Sequence, residues 1–430
     1  MGGLSSRLPR TFRGRLFVVL VVVGLVLVTF TGWSCLRPVL ALNEVEQALA
    51  RNDPAKACEL LNRFSNRWPD NEKALLVWAQ ALRRTDDCSQ AEWFLTEYER
   101  RAGKTPASEL EWSLLGVQQG DFAGQEESLR AIVDRNSSDA ANILEALAKG
   151  YNVAFRYTDA LAALGRLIES HPDHVPALIL RGTILDHQRQ ADAAEKSLRR
   201  AVELAPASAE VNAALATVLN HHGRTREAIQ YFERALQSNS FDSALLVELA
   251  RAHVDDDDLP SAERRLDELL AINPEHAVGL VERGRIDIRR GQFDRAEPFL
   301  ARAVVVAPWK REAHHLRLMV LRRLGKNEAS AACAARIADL QNEDGLGGKL
   351  RIRARDSSRD VATRWELWLW SQRNGQIDEG IAWLTEILRA DPKDPQVHAA
   401  FADYFERAGQ PRRAALHRDA TSTAPGASND

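Results

Sequence analysis

The sequence predicts an all-α chain: a solenoid of stacked helix-turn-helix units preceded by one apolar transmembrane helix. Three observations carry this. Pro172, Pro206, Pro274 and Pro308 fall on one 34-residue grid, with Ser240 in the remaining slot. Between those prolines, small and apolar residues recur in register at i, i+3, i+4 and i+7, the spacing of one helix face. Near the start, residues 16–36 (LFVVLVVVGLVLVTFTGWSCL) run for 21 positions without a charge. A fixed period of about 20–50 residues means one supersecondary unit stacked on copies of itself.

Taken in chain order, residues 1–15 hold Arg7, Arg10, Arg13 and Arg15, and no acidic residue precedes Glu44. The apolar run 16–36 would rise roughly 30 Å as a helix, the thickness of a bilayer hydrocarbon core. Trp33 lies near its end, where an interfacial aromatic is favoured. The charge bias predicts a signal-anchor with residues 1–15 in the cytoplasm and all that follows across the membrane. In a Gram-negative-type bacterium that is a single-pass inner-membrane protein with a periplasmic repeat domain. A cleaved signal peptide normally has a shorter apolar region, of about 7–15 residues; Val39-Leu40-Ala41 is the cleavage site that alternative would use. Trp33 and Ser34 before Cys35 match a lipid-attachment box poorly.

The repeat array is expected over 38–344. Its most regular copies are 175–208, with Leu178, Gly182, Leu185, Ala194, Leu198 and Ala201, and 277–310, with Leu280, Gly284, Ala296, Leu300 and Ala303. Copies at 141–174, 209–242 and 243–276 are strong, whereas 38–71, 72–105, 106–139 and 311–344 are more degenerate. Small residues at the Gly182 and Ala194 slots let two backbones approach closely. The late proline cannot continue a helix and so ends the second helix of each unit. No unit buries its apolar face alone, so stability is roughly a sum over neighbours.

Downstream the grid is interrupted. Residues 345–360 form an insertion or linker in which Gly345, Gly347 and Gly348 disfavour helix, and Leu350, Ile352 and Ala354 alternate with arginines, a period-2 hint of extended chain. Repeats and capping helices resume over 361–420, where Trp365, Trp368, Trp370 and Trp383 cluster at core-like spacing. The tail 421–430, TSTAPGASND, has a disordered composition.

This pattern resembles the tetratricopeptide repeat over nearly everything after Pro38. The resemblance implies a right-handed α-solenoid of about ten units whose first helices line a concave groove for peptides or proteins. Transferring the family's groove slots to this chain gives Lys149, Asn152, His187, Asn220, His221, Arg251, Arg285, Arg289 and Arg322 as the candidate binding surface, basic at its C-terminal end. The lysine and asparagine clamp that some members use on C-terminal carboxylates is not reproduced, since Ile179, Thr183 and Ala214 occupy its slots.

Composition narrows the function. With 57 basic and 60 acidic residues the formal charge is −3, unlike the strong basic excess of a nucleic-acid binder. No phosphate loop, dinucleotide fingerprint, nucleophile elbow or His-Glu-x-x-His motif occurs, so neither enzyme activity, a cofactor nor a metal is expected. The adjacent pairs His221-His222 and His314-His315 project about 100° apart on a helix and make poor joint ligands. The run Asp255–Asp258 lacks the alternating ligands and central glycine of a calcium loop and is expected to be a charged turn. Cys58 and Cys88 fall on helices expected to be neighbours, so a disulfide between them suits an oxidising compartment. Two roles follow: a membrane-anchored scaffold assembling an envelope complex, or a non-catalytic subunit recruiting an enzyme of polysaccharide export or cytochrome maturation.

Overall fold

The computed structural model describes residues 42–64, 71–122, 124–135, 137–238, 242–356, 360–391, 393–408, 414, 415, 417 and 418. The expected cytoplasmic tail 1–15, anchor 16–36 and tail 421–430 lie outside the described residues, as does Ser240. Among the described residues every regular element is a helix, and none is long and apolar enough to cross a membrane.

The 34-residue grid appears directly in the helix starts. First helices run Val175–His187, Ala209–His221, Ser243–Asp255, Ala277–Arg289 and Arg311–Arg323; the paired second helices are Ala191–Leu204, Thr225–Ser238, Leu259–Ile272 and Phe293–Val306. Each grid proline lies two residues beyond a second helix, as at Pro206 after Leu204 and Pro308 after Val306. The turn between paired helices repeats more strictly than the prolines do. A residue with left-handed backbone stands at Asn52, Asp86, Gly120, Phe155, Arg189, Gly223, Asp257, Gly291 and Gly325, at intervals of 34 or 35. The next residue's N–H then reaches back to the last turn of the first helix, as in Gln190 to the Leu185 carbonyl (2.9 Å) and Gln292 to the Asp287 carbonyl (2.8 Å). This is the Schellman closure, which satisfies carbonyls that a helix end otherwise leaves bare.

The small-residue slot fixes how closely paired helices approach. A Cβ added at Gly182 would lie 2.5 Å from the Leu198 side chain, and one at Gly284 would lie 2.9 Å from Leu300. Ala194, Leu198 and Ala201 are fully buried, as are their equivalents Ala262, Leu266, Leu269, Ala296, Leu300 and Ala303. The chain divides into two compact units, residues 1–116 and 117–430. The first has its own core around Val45, Leu61, Trp78, Leu82, Phe94 and Leu95, where Trp78 stacks on Phe94 at 5.1 Å. Cys58 and Cys88 are both half-buried and both pack against that core.

Two features depart from the sequence reading. The first is the segment 345–360, whose hint of extended chain is not realised. Residues through Asp356 continue the preceding helix, giving Asn327–Asp356, more than twice the length of any other second helix in the second unit. Gly347 is needed there because the Trp370 indole occupies the space a Cβ would take, at 2.3 Å. Trp370 donates to the Glu343 carbonyl (2.9 Å), and Arg351 binds both oxygens of Glu379 (2.6 and 2.7 Å) while lying over the Trp370 ring. Tertiary contacts therefore outweigh the roughly 1 kcal/mol each glycine costs in a helix. Gly375, at the turn of the next unit, likewise seats the Trp309 indole.

The second is a buried ion cluster in the unit at 277–310. Arg283 and Asp287 are buried where the unit at 209–242 has Leu215 and Leu219. Arg283 contacts Asp287 (2.9 Å), Asp267 (2.9 Å) and Glu263, and lies over Phe299. Burial works to raise Glu263, but Arg290, Arg283 and Arg295 hold it below the usual carboxylate range.

Two measurements check this account of stability. Arg189→Gly relieves a left-handed arginine and should stabilise the chain by about 0.5–1 kcal/mol, whereas Gly182→Leu should destabilise it by about 1–3 kcal/mol. Thermal melting reads both, and matching shifts of either sign would refute the slot argument. In urea titrations, Arg283→Met should lose about 3–5 kcal/mol by stranding Asp287, while Arg283→Leu with Asp287→Leu should lie within about 1 kcal/mol of the parent.

Candidate functional site

Within the second unit, the first helices Ala209–His221, Ser243–Asp255 and Ala277–Arg289 enclose a cavity of about 560 Å³. Its lining includes five of the nine sequence-predicted groove residues: Asn220, His221, Arg251, Arg285 and Arg289. The other four are not among its lining. Lys149, 3.6 Å from the buried Glu145, and Asn152 belong to helix Ala140–Val153 and are half-buried; His187 and Arg322 are exposed on their own helices.

Sequence reasoning missed the apolar floor and the acidic half of the rim. Ala250, Val254, Ile286 and Ile288 supply the floor, and Glu248, Asp255 and Glu282 face the arginines. The same grid could have found them, since Val254 and Ile288 occupy the slot of Asn220, and Glu248 and Glu282 share another.

These carboxylates correct the expectation of a basic wall. Arg251 bridges Glu248 and Glu282 at 2.7 Å each. Arg285 reaches Glu282 at 3.4 Å and also pairs with Glu312. Arg289 donates to the Val254 carbonyl (2.8 Å) and to Asp257 (3.0 Å). With three arginines and three carboxylates in the lining, the cavity's formal charge is balanced. Burial alone would lower the Arg251 guanidinium, but the bonds to Glu282 and Glu248 raise it. Lys310, at the start of the next first helix, behaves differently. Burial and then the charges of Arg251 and Arg285 pull its ammonium below the usual lysine range.

The polar contacts form a ladder from one repeat to the next. Asn220 donates to Asp255 (2.9 Å), Arg226 to Asp256 (3.1 Å), and Arg199 reaches Glu227 (2.6 Å). The run at 255–258 is thus shared out. Its first three members take partners from other first or second helices, and Asp258 caps the following helix by accepting from the Ser261 N–H (3.1 Å). The Ser261 side chain and then this capping N–H hold Asp258 below the usual carboxylate range. The histidine pair also differs from expectation. His221 Nδ1 and His222 Nε2 both meet the Asp186 carboxylate, each at 2.8 Å. His222 is the residue just past the helix end (φ −99°, ψ 16°), so ideal helical divergence does not apply to the pair. Among the described residues no group of three or more His, Cys, Asp or Glu side chains is placed to hold a metal ion.

Comparison with known proteins adds the family. Residues 154–209, 188–243 and 219–283 match models of the tetratricopeptide repeat. Among curated proteins, none matches the chain. Solved structures that resemble it include PilW, a type IV pilus biogenesis factor, at 22% identity and TM-score 0.42, covering 47% of this chain and 93% of that one. The C-terminal part of a repeat protein from Cytophaga hutchinsonii aligns at 16% identity and TM-score 0.43, covering 53% of this chain and 94% of that one. A tetratricopeptide repeat protein from Parabacteroides merdae aligns at 19% identity and TM-score 0.40, covering 58% and 98%. Helix starts, left-handed turns and the family models agree that residues 154–283 are tetratricopeptide repeats.

Proposed function

We propose that this chain is an interaction scaffold that holds a peptide or protein segment in the cavity between residues 220 and 289, on the outer side of a membrane. The observation that carries the reading is the cavity's composition. An apolar floor of Val254, Ile286 and Ile288 lies beneath a rim of ordered, mutually paired charges. At about 560 Å³ the cavity takes one or two bulky side chains of an extended segment. Apolar burial supplies the affinity, and the rim's donors and acceptors fix orientation. Because the rim is already paired, a ligand meets no unbalanced field, and association should depend only weakly on salt.

The anchoring half of the proposal rests on sequence. The uncharged stretch 16–36 behind four arginines supports one membrane span with residues 1–15 inside. A scaffold held in that way suits the assembly of an envelope complex. Cys58 and Cys88, packed on one core, would then face an oxidising space in which bonding is favourable.

Three outcomes are expected. After partners are captured by pulldown and identified by mass spectrometry, Ile288→Glu should weaken the purified interaction by tenfold or more. Arg322→Ala, outside the cavity, should change it less than twofold; equal losses would remove the cavity from the reading. Arg251→Ala, Arg285→Ala and Arg289→Ala combined should lower the melting point by a few degrees, since exposed pairs contribute roughly 0–1 kcal/mol each. That triple variant should cost less binding than Ile288→Glu. For topology, alkaline phosphatase fused after Ala420 should be active, and Cys58 and Cys88 should resist maleimide until reduced. An inactive fusion would place the repeats in the cytoplasm.

A further inference from the structure

The left-handed turn that recurs along the chain is occupied by glycine, asparagine, aspartate or arginine at every described copy except one, where it is Phe155 (φ 58°). A bulky side chain in that conformation is strained; such strain is held in place by the surrounding structure and clusters at functional sites. The fold itself makes little use of the ring. Phe155 is 77% exposed, and among the described residues its one aromatic contact is an edge-on approach to Tyr157 at 6.1 Å. Val153, two residues earlier, is 55% exposed, and a Cβ built at Gly120 would touch it at 3.6 Å.

Beside this edge lies a second cavity, of about 590 Å³, lined by Phe122, Glu126, Glu127, Arg130, Ala131 and Asp134. It joins the Phe155 turn through Phe122, which stacks on Tyr151 (5.0 Å) with the Arg156 guanidinium over both rings (5.0 and 4.5 Å). Glu126 is committed to Arg156 and Arg130 and accepts from the Tyr151 hydroxyl. Glu127 is exposed and makes no ion pair among the described residues, and Asp134 has only a solvent-exposed pair with Arg166 (2.9 Å). Of the carboxylates in the lining, Glu127 alone lacks an ion pair among the described residues, so the cavity sets one uncompensated carboxylate near the Phe122 ring.

We propose that this turn edge is a second docking surface, for a partner segment that places a lysine or arginine against Glu127, Asp134 and Phe122 and an adjacent apolar side chain against Val153 and Phe155. The charge and the aromatic wall select a cation, since ammonium and guanidinium groups bind both carboxylates and ring faces. The exposed pair Val153 and Phe155 selects an apolar neighbour. The surface lies at a turn between helices and is separate from the cavity at residues 220–289.

The test uses the full chain in detergent, panned against a phage library of random 12-residue peptides. Peptides that combine Lys or Arg with Leu, Phe or Trp are expected. As synthetic peptides they should bind Phe155→Gly and Glu127→Lys at least tenfold more weakly than the parent, and Ile288→Glu equally well. Phe155→Gly should at the same time raise the melting temperature, as is expected of Arg189→Gly, because both relieve a left-handed backbone. A lower melting temperature would mean the ring serves the fold, and the proposal fails. It also fails if Phe155→Gly binds as the parent does, if the selected peptides are acidic or purely apolar, or if no peptide is selected. Peptides lost with Ile288→Glu and kept with Phe155→Gly would be ligands of the other cavity, which overturns this proposal and leaves that reading standing.

Discussion

The close approach of two helices within each unit sets the terms for everything else in this chain. At Gly182 and Gly284 the partner leucine already stands where a Cβ would go, so these two positions take no larger side chain unless that leucine moves. Helices that close must be joined by a tight reversal. The left-handed residue with its Schellman closure provides it, every 34 residues in most copies. Once that hairpin is fixed, its apolar face can be buried only by another hairpin, so the constraint on one unit propagates into the array. The turn tolerates aspartate at 86 and 257 and arginine at 189, which shows that the geometry outranks local preference in the folded chain.

Much of this was legible because the period forces residue types. The prolines mark where a second helix must stop, and glycine or alanine marks where backbones meet, so helix boundaries could be placed from spacing alone. The reading went wrong where a residue answers to a partner remote in sequence. Gly347 looks like a helix breaker until the Trp370 indole is placed on it, and Gly375 has the same relation to Trp309. Arginines at the groove slots look like a basic wall until Glu248 on the helix of Arg251, and Glu282 and Glu312 on the following first helices, are found paired with them. Helix spacing reports which face a residue occupies and is silent about which charge it meets across the stack.

That cross-stack pairing gives the polar residues a structural task beyond ligand contact. Ion pairs at separations of 28 to 35 residues, such as Arg199 with Glu227 and Arg289 with Asp257, connect a unit to its neighbour. Most are at least partly exposed and individually weak, the buried Arg83–Glu111 pair being an exception. Their repetition at nearly one sequence interval makes a displaced register unfavourable, because a slip of one helix turn would set many of them against wrong partners. Apolar packing alone discriminates register less sharply in an array whose core slots hold the same leucines and alanines in copy after copy.

The unit at 277–310 shows where this chain departs from that uniformity. Its first helix carries a buried Arg283–Asp287 pair where the unit at 209–242 has two leucines, and Glu263 gathers Arg283, Arg290 and Arg295 around it. A buried ion network is a weak source of net stability, because desolvation offsets most of the attraction. It is, however, directional in a way leucine contacts are not, and it acts on the helix that presents Arg285, Ile288 and Arg289 to the cavity. Asp287 stands next to Ile288 in the chain, so the network that orients one side of the helix sets the rotation with which the other side faces the cavity.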